Sequence, residues 1–411
     1  MISLTANQAA AVTKLSRLRC GALFMRPGSG KTRAVLTLLQ AKQAGFDTVI
    51  WIAPSSLLAN ESYMSEIDSA CGDLQMVFFT TESIGSSNRR IARLYLLAKT
   101  CACACVIDES SKTKNPLAKR VRRLLILRSL FTYRFILNGT PVMRSIHDLW
   151  AQMEFLSPKI LRRDERQFAH DFLIYKKEGG HRPWTQWSKP QNEEALIEII
   201  RPYIFDADLD IAPTVKRKKI DLRLSDEEAY EYACFKKQYL SRQFVPSFFE
   251  VQNSFQHQYT LTDSKLRWLC EFVKRGEKAI VFVRFLHEVD AIRERFACYE
   301  YTGRHKDELC LFKGGDRPLL VMTYGTGALG LNIQFVRHVI FFSQTFDWGH
   351  REQGVHRAYR IGQNSDVYVC DLVLNTGLDR IMQRSCHKKQ TTADNVSMLI
   401  NFVRDQGIGA L

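Results

Sequence analysis

CACACVIDESSKTKNP, residues 101–116, is the stretch on which the architecture turns. Its first seven residues alternate cysteine with small or β-branched apolar residues and carry no charge, the composition of a buried strand. The run stops at two adjacent acids, Asp108 and Glu109, with no apolar partner following. In open α/β sheets ligands sit just beyond the carboxyl ends of the strands, which is where these two side chains emerge. Taken alone, the pair reads equally as an active site or as an acidic turn at a helix start.

Outward from this strand, the first 156 residues alternate strand and helix. Strands are expected at 48–53, 74–79, 101–107 and 133–137. Helices are expected from Asn7, from GSGKT to about Ala44, from about Leu57, through NRRIARLYLLAK and LAKRVRRLLILRSL, and from Ile146. Such alternation implies a parallel, doubly wound sheet. Residues 157–213 break the rhythm: they are polar, carry HRPWTQWSKP, and read as a helical insertion with a loop. Lys216, Arg217, Lys218 and Lys219 then cross to SDEEAYEYACFKKQYL, where Ser225 and Glu228 fit a capping box. From about Leu261 the alternation returns, with strands expected at 279–283, 317–322, 338–342 and 367–374. The expected division is a first lobe at 1–156, a helical insertion and linker at 157–260, and a second lobe with C-terminal helices at 261–411, with a ligand held in the cleft between the lobes.

Composition bounds the class. The chain has 411 residues, 45% hydrophobic and 25% charged, ordinary globular usage with room for two or three cores. No stretch approaches the length of a membrane span, and MISLTANQAAAVTKL lacks the charged start and apolar centre of a signal peptide, so an intracellular, cytoplasmic protein is expected. The eleven cysteines are spread through apolar runs without a CxxC pair, which fits buried free thiols and no metal site among Cys101, Cys103 and Cys105. Against 43 acids stand 58 Lys and Arg, a net charge of +15 that suits a polyanionic partner, nucleic acid or a membrane surface, or a set of solvated helix faces.

MRPGSGKT, residues 25–32, supplies a phosphate site. Gly28 and Gly30 let the backbone turn tightly enough to aim N–H groups at phosphate oxygens, Lys31 reaches the β and γ phosphates, and the Thr32 hydroxyl ligates Mg²⁺. The full pattern wants glycine where this chain has Met25. Phosphoryl transfer needs one acid to hold the metal through water and another to orient the attacking water, which assigns Asp108 and Glu109 and favours the active-site reading of the opening stretch.

The rest of the chain narrows the type of NTPase. NGTPVMRSIHDLWAQMEFLSP (138–158) resembles the segment after the fourth core strand in the Swi/Snf family of superfamily 2 helicase-like ATPases. IAPSSLLANESYMSEI is similar to that family's CPPSLLxNW segment and DESSKTKNP to its DEAHxxKN box, while GALGLNIQ (327–334) and QGVHRAYRIGQNSDVYV (353–369) resemble its GGLGLNL and QAxxRxxRIGQ motifs. The motifs follow the family order over nearly the whole chain, and the lean insertions are similar to compact members carried by bacteriophages. The resemblance implies two RecA-like lobes with an α-helical insertion, and an ATP- and Mg²⁺-using monomer acting on duplex DNA. It implies an adenine-reading Gln8; Gly28, Ser29, Gly30, Lys31 and Thr32 on the phosphates; Thr32 and Asp108 on Mg²⁺ through water; and Glu109 as partner in hydrolysis. It further implies Arg357 and Arg360 as arginine fingers with Gln353 beside them, Gly327 and Gly330 at the nucleotide edge, and Ser55, Thr80, Thr81, Thr140 and Thr323 as donors to DNA phosphates. Serine and threonine at strand ends are also common caps.

Departures from the family pattern are visible. The histidine of the acid box is Ser111 and the residue before it Ser110, which weakens the usual link to the GTP segment. The basic stretch closing the insertion survives only as Ile200, Arg201, Pro202 and Tyr203, then Phe205, Asp206 and Ala207. Lys119, Arg120, Arg122 and Arg123 form a basic helix face, solvated or DNA-binding. Only residues 333–352 separate Asn332 from Gln353, and one strand and a loop consume them, leaving no room for a strand-separating hairpin there. Trp348 lies in that loop, and Trp184 and Trp187 in the insertion offer another place for a wedge. The favoured expectation is a DNA-dependent ATPase that tracks along duplex DNA; the alternatives are a strand-separating DNA or RNA helicase and an ATP-switched nucleic-acid clamp or annealing module.

Overall fold

A computed structural model describes residues 4–139, 146–176, 186–207, 209, 212–241, 248–305, 308–327, 333–387 and 410. The chain divides into two compact units, residues 1–210 and 211–411. The first is built on strands β1 (Cys20–Met25), β2 (Thr48–Ala53), β3 (Met76–Thr80), β4 (Cys103–Ile107) and β5 (Phe131–Asn138). The later segment adds a two-stranded antiparallel ribbon, β6 (Leu173–Lys176) with β7 (Gln186–Pro190), and then β8 (Ile204–Ala207). The main sheet runs β3-β2-β4-β5-β1-β8, parallel throughout.

A central parallel strand is covered on both faces, so it reads as a continuous apolar run rather than an alternating one. All five residues of β4 are buried. Cys103, Cys105 and Ile107 pack in one cluster with Leu94 and Ala98 of the helix Asn88–Thr100, Val121 and Leu124 of Lys119–Leu127, and Met153 and Phe155 of Asp148–Leu156. Burying each large side chain contributes roughly 1.5–3 kcal/mol, so this layer dominates the unit's stability. β3 is shifted C-terminally from the expected 74–79 because its register against β2 runs from Val49 with Met76 to Ala53 with Thr80.

The second unit carries β9 (Val215–Leu222), β10 (Ala279–Val283), β11 (Cys298–Tyr301), β12 (Leu319–Thr323), β13 (His338–Phe341) and β14 (Val367–Leu374), in the order β11-β12-β10-β13-β14-β9. The neighbouring strands of this sheet are again parallel. Thus both units are α/β with six-stranded parallel sheets flanked by helices.

Residues 157–260, read from sequence as a helical insertion, do contain helices at Glu165–Phe172, Glu193–Ile200, Asp226–Leu240 and Phe248–Tyr259, and the Ser225 to Glu228 capping box is present. They also supply an edge strand to each sheet: β8 beside β1, and β9 beside β14 over eight residues. The basic run Lys216 to Lys219, expected as a crossing, lies inside β9. Lys216 pairs with Asp366 at 2.6 Å, Arg217 with Glu352 at 2.5 Å and Lys219 with Asp221 at 2.5 Å, and all four basic residues are exposed, as suits a charged edge strand. β11 had no expectation either. Its CYEY sequence carries an acid, Glu300, that is buried against Arg293 at 2.6 Å. Trp187 belongs to β7, and Trp184 lies outside the described residues.

Candidate nucleotide and nucleic-acid sites

Parallel strands of one sheet deliver their C-terminal ends to one edge, so sheet order sets the order of the residues that follow them. In the first unit that edge carries Thr80 after β3, Ser55 beyond β2, Asp108 after β4, Gly139 after β5 and the glycine turn after β1. The phosphate turn after β1 and the acid pair after β4 therefore flank β5 on one sheet edge, and the donor candidates Ser55, Thr80 and Thr81 stand toward the β2–β3 end.

The turn has the conformation its glycines allow. Gly28 has φ +82° and Gly30 φ +75°, left-handed values that favour glycine. A Cβ on Gly30 would lie 2.2 Å from Nε2 of Gln8. Gln8 itself is buried in the helix Ala6–Leu15; its Nε2 donates to the Ser29 carbonyl at 3.0 Å and its Oε1 accepts from Thr5 N–H at 3.0 Å. The glutamine assigned to adenine thus also braces the phosphate turn. The helix Lys31–Gln40 opens with no side-chain cap and no acid in its first turn, leaving its first N–H groups for an anion. Ser29 Oγ is buried with no hydrogen-bond partner among the described residues. These features fit a polyphosphate, with Lys31 and Thr32 on the same turn. Gly139, from the GTP segment, packs so close that a Cβ would meet Pro27 at 2.7 Å.

Asp108 is 5% exposed. Burial raises its pKa from the ordinary carboxylate value, opposed by the Lys31 charge, the Tyr63 hydroxyl and the Glu109 N–H. Its Oδ2 accepts from Tyr63 at 2.5 Å, and Tyr63 accepts from the Trp51 indole at 2.9 Å. Burial, and then the Asp108 charge, push Tyr63 well above the usual tyrosine value, so it stays a donor. Glu109 holds a left-handed backbone at φ +50°, a strained conformation for glutamate and one that concentrates at functional sites. A single carboxylate of the Asp108 kind suits Mg²⁺, which keeps most of its water and takes further oxygens from phosphates. Among the described residues there is no group of three or more His, Cys, Asp or Glu that could hold a metal, and the eleven cysteines are free thiols.

The two serines that replace the usual acid-box residues leave a link that sequence reading put in doubt. Ser110 donates to Gln152 at 2.7 Å, and Lys114 pairs with Asp148 at 3.0 Å. Both partners lie on Asp148–Leu156, the helix after the GTP segment, so the box is tied to the element that segment leads into. Tyr63, Trp51, Gln152 and Asp148 were missed as contributors, although Tyr63, Asp148 and Gln152 lie inside segments whose family resemblance had been noted and Trp51 inside the strand expected at 48–53.

Among the nucleic-acid candidates, Ser55 is exposed and its N–H is held by Glu82 at 3.0 Å. Thr80 caps the helix Thr81–Ser86 by accepting the Ser83 N–H at 3.1 Å, and Thr81 is 1% exposed, its hydroxyl without a hydrogen-bond partner among the described residues. Arg123 of the basic helix face is spent on the Ile84 carbonyl at 2.7 Å, while Lys119 and Arg122 are exposed.

In the second unit Thr323 ends β12, Gly327 ends the short helix Tyr324–Gly327, and Gln353 is buried on the helix Trp348–Val355, whose cap is Asp347. Trp348 is the first residue of that helix. Arg357 is buried just beyond it, and its carbonyl accepts the Ile333 N–H at 3.1 Å; Arg360 is half-buried. Gln363 binds the Gln334 and Val336 carbonyls at 2.9 and 3.1 Å, fastening the RIGQ segment to the residues after 332. Thr140 and Gly330 lie outside the described residues. Among the described residues no helix is long and apolar enough to cross a membrane.

Comparison with known proteins gives two family models, the first of which crosses the boundary between the two units. A SNF2-related domain model matches residues 89–271, and a helicase conserved C-terminal domain model residues 264–362. The chain is similar to a transcription regulatory protein SNF2 of Saccharomyces cerevisiae, 23% identical over 391 residues, covering 80% of this chain and 22% of that protein. It is also similar to a chromodomain-helicase-DNA-binding protein 1-like of Mus musculus, 23% identical over 318 residues, covering 69% of this chain and 35% of the relative. It therefore spans only about a fifth to a third of the length of these two relatives. A solved structure of a Sulfolobus solfataricus SWI2/SNF2 ATPase core in complex with dsDNA covers 100% of this chain and 97% of its own at 19% identity, with a TM-score of 0.43.

Proposed function

We propose, from the premise that the chain belongs to the SNF2-related family of superfamily 2 helicase-like ATPases, that it is a DNA-dependent ATPase that tracks along duplex DNA. The observation that carries the ATPase reading is the uncapped start of Lys31–Gln40 behind the Gly28 to Gly30 turn, on the strand edge that also presents Asp108 and Glu109. Bound Mg²⁺ supplies charge neutralisation at the β and γ phosphates. The chain's own part is to hold the phosphates with turn N–H groups and Lys31, fix the metal through Thr32 and Asp108, and orient water with Glu109. Arg357 and Arg360 act on transition-state charge, with Gln353 beside them, and Gly327 and Gly330 lie at the nucleotide. Ser55, Thr80, Thr140 and Thr323 contact DNA phosphates. Thr81, buried and with its hydroxyl unpartnered among the described residues, is the fifth donor. The protein works as a monomer in the cytoplasm.

Tracking rather than strand separation is supported by the space after β13: residues 342–347 lead straight into the helix Trp348–Val355, with no hairpin among them. Separating strands requires a wedge, since each base-pair step costs about 1.4 kcal/mol of stacking. The test measures ATP turnover with no nucleic acid, single strand, duplex, fork and RNA, together with displacement of a third strand from a triplex. Duplex-stimulated turnover with triplex displacement is expected. Efficient ATP-dependent unwinding of the fork without triplex displacement makes the protein a helicase, and binding that responds to ATP without stimulated turnover makes it a clamp.

A further inference from the structure

Asp108 is held from a direction the phosphate turn does not supply. Its Oδ1 accepts the Glu109 N–H at 2.8 Å and its Oδ2 the Tyr63 hydroxyl at 2.5 Å, while Tyr63 accepts the Trp51 indole N–H at 2.9 Å. The three side chains come from three elements: Trp51 from β2, Tyr63 from the helix Glu61–Cys71, and Asp108 from the end of β4. All are buried, at 0%, 7% and 5% exposure.

The order of this chain of bonds is fixed by chemistry. An indole nitrogen only donates, so the Tyr63 oxygen must accept from Trp51, and its single proton goes to Asp108. An O–H donor on a carboxylate at this distance belongs to the strong, charge-assisted class. The tyrosine is pinned at its root as well, because its N–H donates to the capping side chain of Asn60 at 2.9 Å. Asp108 N–H further donates to the Ile52 carbonyl at 2.8 Å, beside Trp51 on β2. Both carboxylate oxygens are thereby oriented before any ligand arrives, and a tyrosine serving only to fill space would not need its hydroxyl.

We propose that Tyr63 is a positioning residue that sets the Asp108 carboxylate in the orientation from which it holds the hydrated Mg²⁺ of bound ATP, with Trp51 fixing the direction of the Tyr63 hydroxyl. The proposal rests on the ATPase reading above. Groups that orient a metal-binding side chain are commonly worth 10–100-fold in metal affinity, because without them the side chain must be ordered when the metal binds.

The experiment measures binding of a non-hydrolysable ATP analogue with and without Mg²⁺, by titration against the full chain. In Tyr63→Phe the affinity gained on adding Mg²⁺ falls about tenfold relative to the unaltered protein, and metal-free affinity stays within about twofold. Trp51→Phe, which keeps the Tyr63 to Asp108 bond, retains most of the Mg²⁺ gain. The ¹⁵N-indole resonance of Trp51, identified by its loss in Trp51→Phe, shifts when Mg²⁺ joins the bound analogue, and this Mg²⁺-specific shift disappears in Tyr63→Phe. A full Mg²⁺ gain in Tyr63→Phe overturns the proposal, as do equal losses with and without metal, which mark a packing role. Failure of the unaltered chain to bind the analogue at all would instead sink the ATPase reading.

Discussion

The two units share a plan and use their buried polar groups differently. Each has a six-stranded parallel sheet closed at one edge by a strand from residues 157–260. In the first unit the buried polar groups gather at the C-terminal edge of the sheet: Asp108, Ser110, Gln152, Thr32 and Ser29. In the second, a network sits within the fold. Glu288, fully buried, accepts from Thr260 at 2.7 Å, from Ser343 at 2.5 Å and from the N–H groups of Arg284 and Phe285 at 2.9 and 2.8 Å. Buried Lys265 donates to the Thr260 carbonyl at 3.1 Å, Asp379 accepts from Tyr259 at 2.9 Å, and Arg351 pairs with Asp371 while covering the Phe341 ring at 3.9 Å. Satisfied polar networks specify and stiffen a core, whereas a polar atom left open at a strand end is available for a ligand. Burial alone thus does not separate site from scaffold, since Asp108, Ser110 and Gln152 are also hydrogen-bonded within the protein.

The comparison is broken or sharpened by substitutions that should divide activity from stability. The largest effect is expected from Lys31→Ala, which lowers ATP turnover by orders of magnitude with an unchanged melting profile, because a charge on the phosphates is lost and no core packing. Unchanged turnover would remove the turn from the site. Arg360→Ala comes next, lowering kcat by roughly a thousandfold with ATP affinity retained, as for a group acting on the transition state; a normal kcat would leave the second unit without a part in hydrolysis.

Glu109→Gln should then keep ATP binding while turnover collapses, whereas Asp108→Asn should weaken binding of the Mg²⁺ complex. Nucleotide titrations showing equal loss in both variants contradict the division of roles. For the network, Glu288→Gln should cost about 3 kcal/mol or more in denaturant unfolding, since it leaves Lys265 facing a neutral amide and sets an NH₂ against groups that donate. Smaller still is Gly354→Ala, whose Cβ would sit 2.9 Å from the Phe282 ring; a loss of about 1–3 kcal/mol is expected, and a neutral result would show that the ring yields freely.

Much of this was legible in one dimension. The strands 48–53, 279–283 and 367–374 coincide with β2, β10 and β14 because each is a short, mostly apolar run rich in β-branched residues. The turn at Gly28 to Thr32 was legible because left-handed backbone demands glycine at fixed positions. By contrast, β9 could not be read: an exposed run of four basic residues carries no apolar signal and becomes a strand where β14 offers it an edge, with Asp366 and Glu352 pairing two of its charges. β11 was hidden by Glu300, whose burial depends on Arg293.

The same line divides the site. Sequence by itself marked the residues proposed for phosphate and metal chemistry, Lys31, Thr32, Asp108 and Glu109, since those roles need particular functional groups at particular spacings along the chain. Only the tertiary structure decided what supports them. Tyr63 lies far from Asp108 along the chain, and Ser110 far from Gln152, yet they bond at 2.5 and 2.7 Å. Such contacts arise when strand order brings separate segments to one sheet edge, and the order β3-β2-β4-β5-β1 is settled by packing summed over the whole unit rather than by any local signal.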